Sequence, residues 1–191
     1  MAINLQKGQR IDIGLTKMII GLGWDPNDGT GYDFDLDASA IMIDSQRKLV
    51  SEDYFVFYNN LNSPDGALAH TGDDPSGKNS DGDDDEAIMI DLSKVDSRVE
   101  EILFVVTIED FERRKQNFGQ VRNSYIRIVD QSNNQEIAKY ELDEDFSIET
   151  GIEFGRLYKK RGSWKFEASG IGYRADLGFF LEKYYNGQII K

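Results

Sequence analysis

The chain has no cysteine, one histidine and three prolines among its 191 residues. Without cysteine there can be no disulfide, no thiolate catalysis and no cysteine-ligated zinc. The single histidine, His70, argues against a transition-metal site of the usual kind, because such sites use several imidazoles. Any metal chemistry in this chain must therefore rest on oxygen ligands.

Long apolar runs are missing as well. No stretch reaches the ~18 apolar residues of a membrane-spanning helix, and residues 1–10 lack a signal-peptide pattern, so we expect a soluble protein that is not secreted. A composition of 39% hydrophobic and 12% aromatic residues can build a packed core, and the length predicts one domain over residues 1–191. The excess of 35 acidic over 22 basic residues argues against nucleic-acid binding, which needs a basic surface.

Most of the negative charge is confined to two short windows. Residues 25–37 contain five aspartates and no base, and residues 65–86 contain eight acidic residues and one base, Lys78. The rest of the chain is nearly neutral. Carboxylates this close together repel one another unless a positive charge offsets them. A hard divalent cation such as Ca²⁺, which binds six to eight oxygen atoms, is the simplest candidate.

Alternation of apolar and polar residues dominates the sequence and predicts strands. Tight hairpin turns are expected at residues 131–134 and 160–163. Because no helical segments intervene between the strands, the pattern predicts a mainly β fold, a two-sheet β-sandwich with a short C-terminal helix. The predicted strands are 11–16, 18–23, 34–43, 54–58, 87–92, 102–109, 124–129, 136–141, 152–158 and 164–170.

Helical spacing is clear only near the C-terminus. In residues 176–185, Leu177, Phe180, Leu181 and Tyr184 fall on one face of a helix, which predicts an amphipathic helix there. A short helical turn is also expected within residues 93–101.

The first acidic window reads as the start of a strand. From Tyr32 onward, even positions are apolar, whereas the odd positions begin with Asp33, Asp35 and Asp37. Side chains at i and i+2 of a strand lie roughly 6.6–6.8 Å apart, so neighbouring aspartates can reach one ion. Asp33 and Asp37, twice as far apart, would more easily serve different ions. The preceding turn-rich loop can fold Asp25 over the same rim.

The second acidic window reads as a long functional loop. Residues 71–86 have little apolar content and are punctuated by Gly72, Gly77 and Gly82. Glycine readily adopts the positive φ angles of tight turns, and such turns would let carboxylates converge on an ion. The loop is not an EF-hand, because numbering from Asp74 puts Lys78 at a ligand position, where a cation would repel it.

Several motifs along the chain resemble the TerD family of bacterial tellurium-resistance and stress proteins. In this order and spacing they are specific, and they cover nearly the whole chain. They are Gly21-Leu22-Gly23-Trp24-Asp25, Phe34-Asp35-Leu36-Asp37-Ala38-Ser39-Ala40, Phe55-Val56-Phe57-Tyr58-Asn59-Asn60-Leu61, Ser63-Pro64-Asp65-Gly66, His70-Thr71-Gly72-Asp73, Gly82-Asp83-Asp84-Asp85-Glu86, Gln116-Asn117-Phe118-Gly119-Gln120-Val121, Tyr125-Ile126-Arg127-Ile128-Val129, Phe154-Gly155-Arg156-Leu157-Tyr158 and Trp164-Lys165-Phe166.

The resemblance implies a cytoplasmic β-sandwich protein whose acidic loops bind Ca²⁺, two ions by our expectation. It implies a role in tolerance to tellurite and to other chemical or phage stress, without catalysis. Partners would be other stress-response proteins, including ones at the inner membrane surface. The ligands carried over by the resemblance are Asp25, Asp33, Asp35, Asp37, Asn60, Asp65, Asp73, Asp83, Asp84 and Glu86.

Two other functions fit the same acidic windows. A metal-dependent hydrolase could use them to polarise a phosphoester, and turnover lost in Asp35→Asn would distinguish it. A passive interaction module could use them to dock a basic partner, in which case partner binding would depend on salt and not on a chelator. No catalytic triad or nucleotide-binding motif is present.

Overall fold

The strands and helices are short and follow one another closely. The computed structural model describes residues 2–78, 84–142, 145–185 and 187. In chain order the elements are β1 Ile3–Asn4, β2 Arg10–Asp12, β3 Lys17–Gly23, β4 Leu36–Ile43, β5 Phe55–Val56, β6 Leu68–His70, β7 Glu86–Asp91, β8 Glu101–Ile108, α1 Phe111–Arg114, β9 Tyr125–Asp130, β10 Gln135–Glu141, β11 Gly151–Lys160, β12 Ser163–Glu167, β13 Ile171–Tyr173 and α2 Leu177–Tyr184.

The strands form two sheets that enclose one core. The first sheet has the order β1-β10-β9-β3-β7-β6, and the second has the order β2-β12-β11-β8-β4-β5 with β13 paired to β11. All pairings are antiparallel except β1 with β10. The sheets meet where β4 lies against β7, over one cluster of buried apolar side chains. The predicted two-sheet β-sandwich is confirmed.

Strand β4 is covered by protein on both faces. All eight of its residues are buried, as are the seven residues of its neighbour β8 from Ile102 onward. Phe104 of β8 stacks on Phe154 of β11, with ring centroids 5.8 Å apart. A polar side chain on β4 is therefore taken out of water, whichever face it occupies.

The amphipathic helix predicted in residues 176–185 is present as α2, Leu177–Tyr184. The helix packs on the second sheet. The ring of Phe180 lies over Gly151 of β11, so close that a Cβ at Gly151 would approach the ring to 2.8 Å. The Tyr184 hydroxyl donates a hydrogen bond to Oε1 of Glu153, at 2.7 Å. Asp176 caps the helix by accepting from the Phe179 N–H. In the described part of the chain, neither helix has the length and apolar character needed to cross a bilayer.

The predicted hairpins are present. Residues 131–134 connect β9 to β10. At residues 160–163, Lys160 pairs with Ser163, and the two residues between them both have positive φ, 52° at Arg161 and 80° at Gly162. A two-residue turn with two positive φ angles matches the right-handed twist of the strands that it joins.

Several predicted boundaries were wrong, mostly because glycine or a turn ended the strand early. The strand predicted at 11–16 stops at Asp12, just before Gly14, whose φ is +60°. The one predicted at 54–58 is only Phe55–Val56, and the chain then turns at residues 57–60. The strand predicted at 164–170 ends at Glu167, ahead of Gly170 with φ +59°.

Other elements were placed wrongly or missed. The strand predicted at 34–43 begins two residues later, at Leu36. The helical turn expected within 93–101 is a single 3-10 turn at Leu92–Lys94. Four short elements were not predicted, because two to four residues are too few to show a periodicity. They are the strands β1, β6 and β13 and the single turn of α1.

We expect the core around β8 to dominate stability. Phe104 is fully buried, so Phe104→Ala should lower the free energy of unfolding by about 3–5 kcal/mol through lost burial and a residual cavity. Ile148 is 58% exposed, and Ile148→Ala should change it by less than about 0.5 kcal/mol. Urea denaturation followed by circular dichroism measures both, and similar losses in the two variants would contradict the assigned core.

Candidate metal centre

Three aspartates from both acidic windows meet at one end of β4. Carboxylate oxygens of Asp35, Asp37 and Asp73 lie within 4.8 Å of one another. Two ligands of the same Ca²⁺ ion are separated by at most about 5 Å, because each Ca–O distance is about 2.3–2.6 Å. We call these three carboxylates the acidic centre. Its size fits a single hard cation.

The acidic centre has a buried floor and an open side. Asp37 lies on β4 and is 3% exposed, and Asp35, just before the strand, is 8% exposed. Asp73 is exposed at the start of the second acidic loop. An ion could therefore reach the two buried carboxylates by way of Asp73.

Burial and mutual repulsion disfavour charge at the floor. Burial is the main cause that raises the pKa of Asp37 to about 9, and the nearby carboxylates of Glu86, Asp35, Asp73 and Glu109 add to it. Burial likewise raises the pKa of Asp35, although Arg114 acts in the opposite direction. A bound cation would favour the ionised form of both carboxylates, because it supplies the missing positive charge.

Polar atoms without hydrogen-bond partners line the same stretch of sheet. Within the described part of the chain, Asp37 Oδ2, Ser39 Oγ and Thr107 Oγ1 are buried and lack a hydrogen-bond partner. Asp37 is the direct cross-strand neighbour of Thr107, and Ser39 follows Asp37 on the same face of β4. Unpaired buried polar atoms are rare and costly, so their grouping beside the acidic centre suits a site that receives a ligand.

Glu86 and His70 hold the floor in place from the opposite sheet. Glu86 Oε2 accepts a hydrogen bond from the Ala38 N–H at 2.7 Å, and Oε1 accepts from the Asp74 N–H at 3.3 Å. His70 Nδ1 accepts from the Gly72 N–H, so Nε2 carries the proton and donates to the Ala38 carbonyl at 2.9 Å. Burial raises the pKa of Glu86, against the opposing effect of these hydrogen bonds.

An arginine shares one floor carboxylate. Arg114, the last residue of α1, places Nη1 3.2 Å from Asp35 Oδ2. Its side chain is mostly buried and also lies near the ring of Tyr32. Neighbouring Arg113 instead pairs with Asp110 and stacks over Tyr32. Arg114 is thus an internal cation that partly neutralises the acidic centre.

The other predicted ligands lie outside the acidic centre. Asp33 Oδ1 accepts from Lys78 Nζ at 2.7 Å, and Asp25 Oδ2 accepts from Asn123 Nδ2 at 2.6 Å. Asp84 forms an ion pair with Arg127, at 2.7 Å. The loop before β4 thus does not fold Asp25 over the same rim.

Two more predicted ligands are parts of turns. Asn60 Nδ2 donates to the carbonyls of Asp53 and Phe55. Asp65 accepts from Ser63 Oγ and from the N–H groups of Ala67 and Asp96. Asp83 lies outside the described residues. The full set of ten ligands therefore stays a prediction, of which three residues are brought together and Glu86 adjoins them.

Two glycines of β3 make room for the ion pair beside the second loop. A Cβ at Gly21 would lie 2.0 Å from Asp84 Oδ2, and a Cβ at Gly23 would lie 2.4 Å from the Tyr125 ring. The Tyr125 hydroxyl is 3.3 Å from Asp84, and burial, with the charge of Asp84 adding to it, raises the pKa of Tyr125 to about 12. These glycines are needed for close packing and not for binding a dinucleotide.

Sequence reasoning missed several residues that shape the site. Thr107 and Arg114 reach it through strand register and through α1, neither of which leaves a local signal. Asp74 accepts from the N–H groups of Ser76 and Gly77 and so shapes the loop after Asp73. Gln116 donates to the carbonyls of Tyr32 and Asp33 and so holds the chain just before the acidic centre.

The fold and the acidic centre define a β-sandwich protein with a carboxylate cluster of the kind that hard cations bind. The family model described as "TerD domain" matches residues 1–184. General stress protein 16U of Bacillus subtilis is 46% identical over 191 residues, covering 96% of this chain and 97% of that protein. Tellurium resistance protein TerD of Serratia marcescens is 44% identical over 189 residues, with coverage of 96% and 97%. The chain belongs to the TerD family.

The fold is also similar to that of a solved structure. The crystal structure of a homologue of telluride resistance protein (TerD) from Streptomyces coelicolor A3(2) superposes with a TM-score of 0.72 and 20% identity, covering 87% of this chain and 95% of that one. At this identity the likeness shows the fold.

The raised pKa of Asp37 predicts how stability depends on pH when no metal is bound. Folded Asp37 keeps its proton between about pH 4 and about 9, whereas the unfolded carboxyl has lost it, so the free energy of unfolding falls as the pH rises through this window. Asp37→Asn removes this titration. In the presence of a chelator, the free energy of unfolding of the variant, taken relative to that of the wild type, should rise by on the order of a few kcal/mol between pH 4 and pH 8.

The control is Asp28→Asn, which removes an exposed carboxyl from the same window. Its stability should follow that of the wild type across the whole pH range. Urea denaturation at a series of pH values measures the difference, and a constant gap between wild type and Asp37→Asn would contradict the assignment.

Proposed function

We propose that this protein is a Ca²⁺-binding, non-enzymatic stress protein that acts through protein partners in the cytoplasm and contributes to tolerance of tellurite and other chemical stress. The observation that carries the proposal is the convergence of Asp35, Asp37 and Asp73 around the unpartnered oxygen of Asp37. Its relatives include proteins named for tellurium resistance and for general stress.

The chemistry of the donors favours a hard cation. The acidic centre offers carboxylate oxygens, with the hydroxyls of Ser39 and Thr107 close by in the sheet. The chain has no cysteine, and its one histidine already makes two hydrogen bonds with the backbone. Oxygen-only sites of irregular shape suit Ca²⁺ better than Mg²⁺, which demands near-octahedral geometry, or zinc, which prefers nitrogen and sulfur.

Ion binding at this position would act on the fold directly. The ion would sit between β4 of one sheet and the loop that leads from β6 of the other sheet. Its charge would offset the burial and the repulsion that raise the pKa of Asp37. Binding would therefore tie the start of the second acidic loop, at Asp73, to β4. This gives a Ca²⁺-dependent surface that a partner protein could recognise without any catalysed reaction.

The number of ions is part of the proposal. The acidic centre accounts for one of the two expected ions. Asp33, which pairs with the half-exposed Lys78, is the nearest candidate in sequence for the second, since Lys78 can move away from it. Calorimetric titration of the metal-stripped protein returns this stoichiometry.

We expect Ca²⁺ to stabilise the protein through the acidic centre. At a hundredfold excess over Kd the gain is about 2.7 kcal/mol, or roughly 5–10 °C in Tm for a domain of this size. Mg²⁺ should do less. Asp37→Asn should lose most of the Ca²⁺ response, because it removes a buried ligand, while Asp28→Asn should keep it.

Thermal melts of the metal-stripped wild type and of both variants, with Ca²⁺, Mg²⁺ or chelator, make the comparison. A wild-type midpoint that Ca²⁺ leaves unmoved would refute the proposal. An equal Ca²⁺ response in wild type and Asp37→Asn would place the ion elsewhere.

Arg114 should weaken Ca²⁺ binding, because its charge competes for Asp35. Arg114→Gln should raise the Ca²⁺ affinity by about three- to tenfold at low ionic strength. Arg113→Gln, on the same turn but paired with Asp110, should change it by less than about twofold. Calorimetric titration measures both. A loss of affinity in Arg114→Gln would show that the arginine supports the site instead of competing with the ion.

A further inference from the structure

A second concave site lies beside the acidic centre, between α2, α1 and the chain around β5. It is a groove of about 730 Å³, within the range of ligand pockets. Its lining residues are Glu52, Phe55, Phe57, Tyr58, Glu109, Asp110, Phe111, Glu112, Asp176, Leu177, Gly178 and Leu181. We call it the aromatic groove.

The floor of the aromatic groove is apolar and partly open to solvent. Phe57 contacts Phe55 and Tyr58 edge to face, with ring centroids 5.3 and 5.2 Å away. Leu177 and Leu181 lie one turn apart on the face of α2 toward the groove, while Phe180 and Tyr184 of the same helix are buried in the core. Leu181 is 38% exposed. Apolar side chains grouped in a concave surface are typical of binding sites.

The walls of the groove carry charge of one sign. Five of its twelve lining residues are acidic and none is Lys or Arg. Three of the five carboxylates have partners within the protein: Asp110 pairs with Arg113, Asp176 caps α2, and Glu52 accepts from the Tyr185 hydroxyl. Glu109 and Glu112 form no ion pair among the described residues.

We infer that the aromatic groove docks a basic, apolar segment of a partner protein, with its apolar side chains on the aromatic floor and its Lys or Arg residues against Glu109 and Glu112. The inference rests on the partner-mediated action proposed above and names the surface and the chemistry of the partner. Charge complementarity decides the occupant, since a groove with five carboxylates and no base attracts cations.

A protein segment fits the groove better than the other occupants. The carboxylates come from three separate parts of the chain, before β5, around α1 and at the start of α2, so they are spaced to meet several cationic groups instead of one. A second copy of this chain is disfavoured, because each copy has a net charge of −13 and two copies repel one another.

The groove and the acidic centre are neighbours but separate. The Glu109 N–H donates to the Asp35 carbonyl at 2.9 Å, and the pKa of the Tyr58 hydroxyl is raised by burial and, secondarily, by the carboxylates of both sites. None of the three carboxylates of the acidic centre lines the groove. Peptide binding can therefore be measured both with Ca²⁺ and with chelator, in an experiment separate from the Ca²⁺ melts.

The test uses a fluorescein-labelled amphipathic peptide of Leu, Phe and Lys, with the full chain and anisotropy as the readout. Wild type should bind it, and both Glu112→Lys and Leu181→Gln should weaken binding by about tenfold or more, the loss expected for a contact near the middle of an interface. A peptide with Glu in place of Lys, and one with Ser in place of Leu and Phe, should bind at least about tenfold more weakly.

Two matched variants separate docking from general attraction to an acidic protein. Glu182→Lys makes the same change in charge at an exposed position of α2 that does not line the groove. Leu61→Gln makes the same change at a leucine that is also 38% exposed and lies outside the groove. Both should bind the peptide within about twofold of wild type. Unchanged thermal midpoints would show that all four variants are folded.

Three results would overturn the inference. Equal weakening in Glu112→Lys and Glu182→Lys would mean non-specific charge attraction. Self-association of the wild type in sedimentation, lost in Leu181→Gln, would mean that a second copy fills the groove. Tetraphenylphosphonium bound as tightly as the peptide, and lost in Leu181→Gln, would mean a pocket for small lipophilic cations.

Discussion

The constraint on which this structure depends is a carboxylate inside a strand that has no solvent-facing side. Asp37 occupies the second residue pair of the β4–β8 ladder, where its neighbours across and along the sheet are Thr107 and Ser39. Burial and the neighbouring carboxylates raise the pKa of Asp37 to about 9, so without a counter-charge its protonated form is favoured at neutral pH. A polar residue so placed costs stability in the absence of a ligand, and the proposed cation would offset this cost.

Residues of both sheets surround Asp37 and hold its strand in place. Glu86 of β7 and His70 of β6 form hydrogen bonds with the backbone of Ala38. These bonds fix the position of β4 relative to the opposite sheet. Arg114 supplies a positive charge from outside, at Asp35. The resulting site has rigid walls on two sheets and an open side at Asp73. Two buried carboxylates with one exposed carboxylate beside them would suit the proposed ion, which could enter and leave at Asp73.

Much of the fold, and the centre of the site, could be predicted from the sequence. Alternation predicted the long strands, and helical spacing predicted the C-terminal helix. The i, i+2 spacing of Asp35 and Asp37 agrees with the closeness of their carboxylate oxygens in the structure. The same reasoning extended the strand to Asp33, which instead lies before it and pairs with Lys78. Local periodicity cannot show where a strand begins when polar residues continue through the turn.

The remaining residues depend on contacts between distant parts of the chain. Thr107 joins the site through the register of β8 on β4, and Arg114 through a single helical turn between two residues with positive φ, Asp110 and Lys115. Asn60 and Asp65 resemble ligands in sequence, but Asn and Asp are also the residues that shape turns through their own backbone bonds. Composition alone cannot separate these two uses. In the structure, Asn60 Nδ2 donates to two backbone carbonyls and Asp65 accepts three hydrogen bonds, as residues that shape turns do.

A crystal structure of the protein grown in millimolar Ca²⁺ tests the central claim most directly. The account predicts density for an ion bound by Asp35, Asp37 and Asp73 at about 2.3–2.6 Å from each ligand oxygen, with an anomalous signal that disappears after soaking in chelator. Well-ordered carboxylates at these positions that contact only water in such a crystal would contradict it.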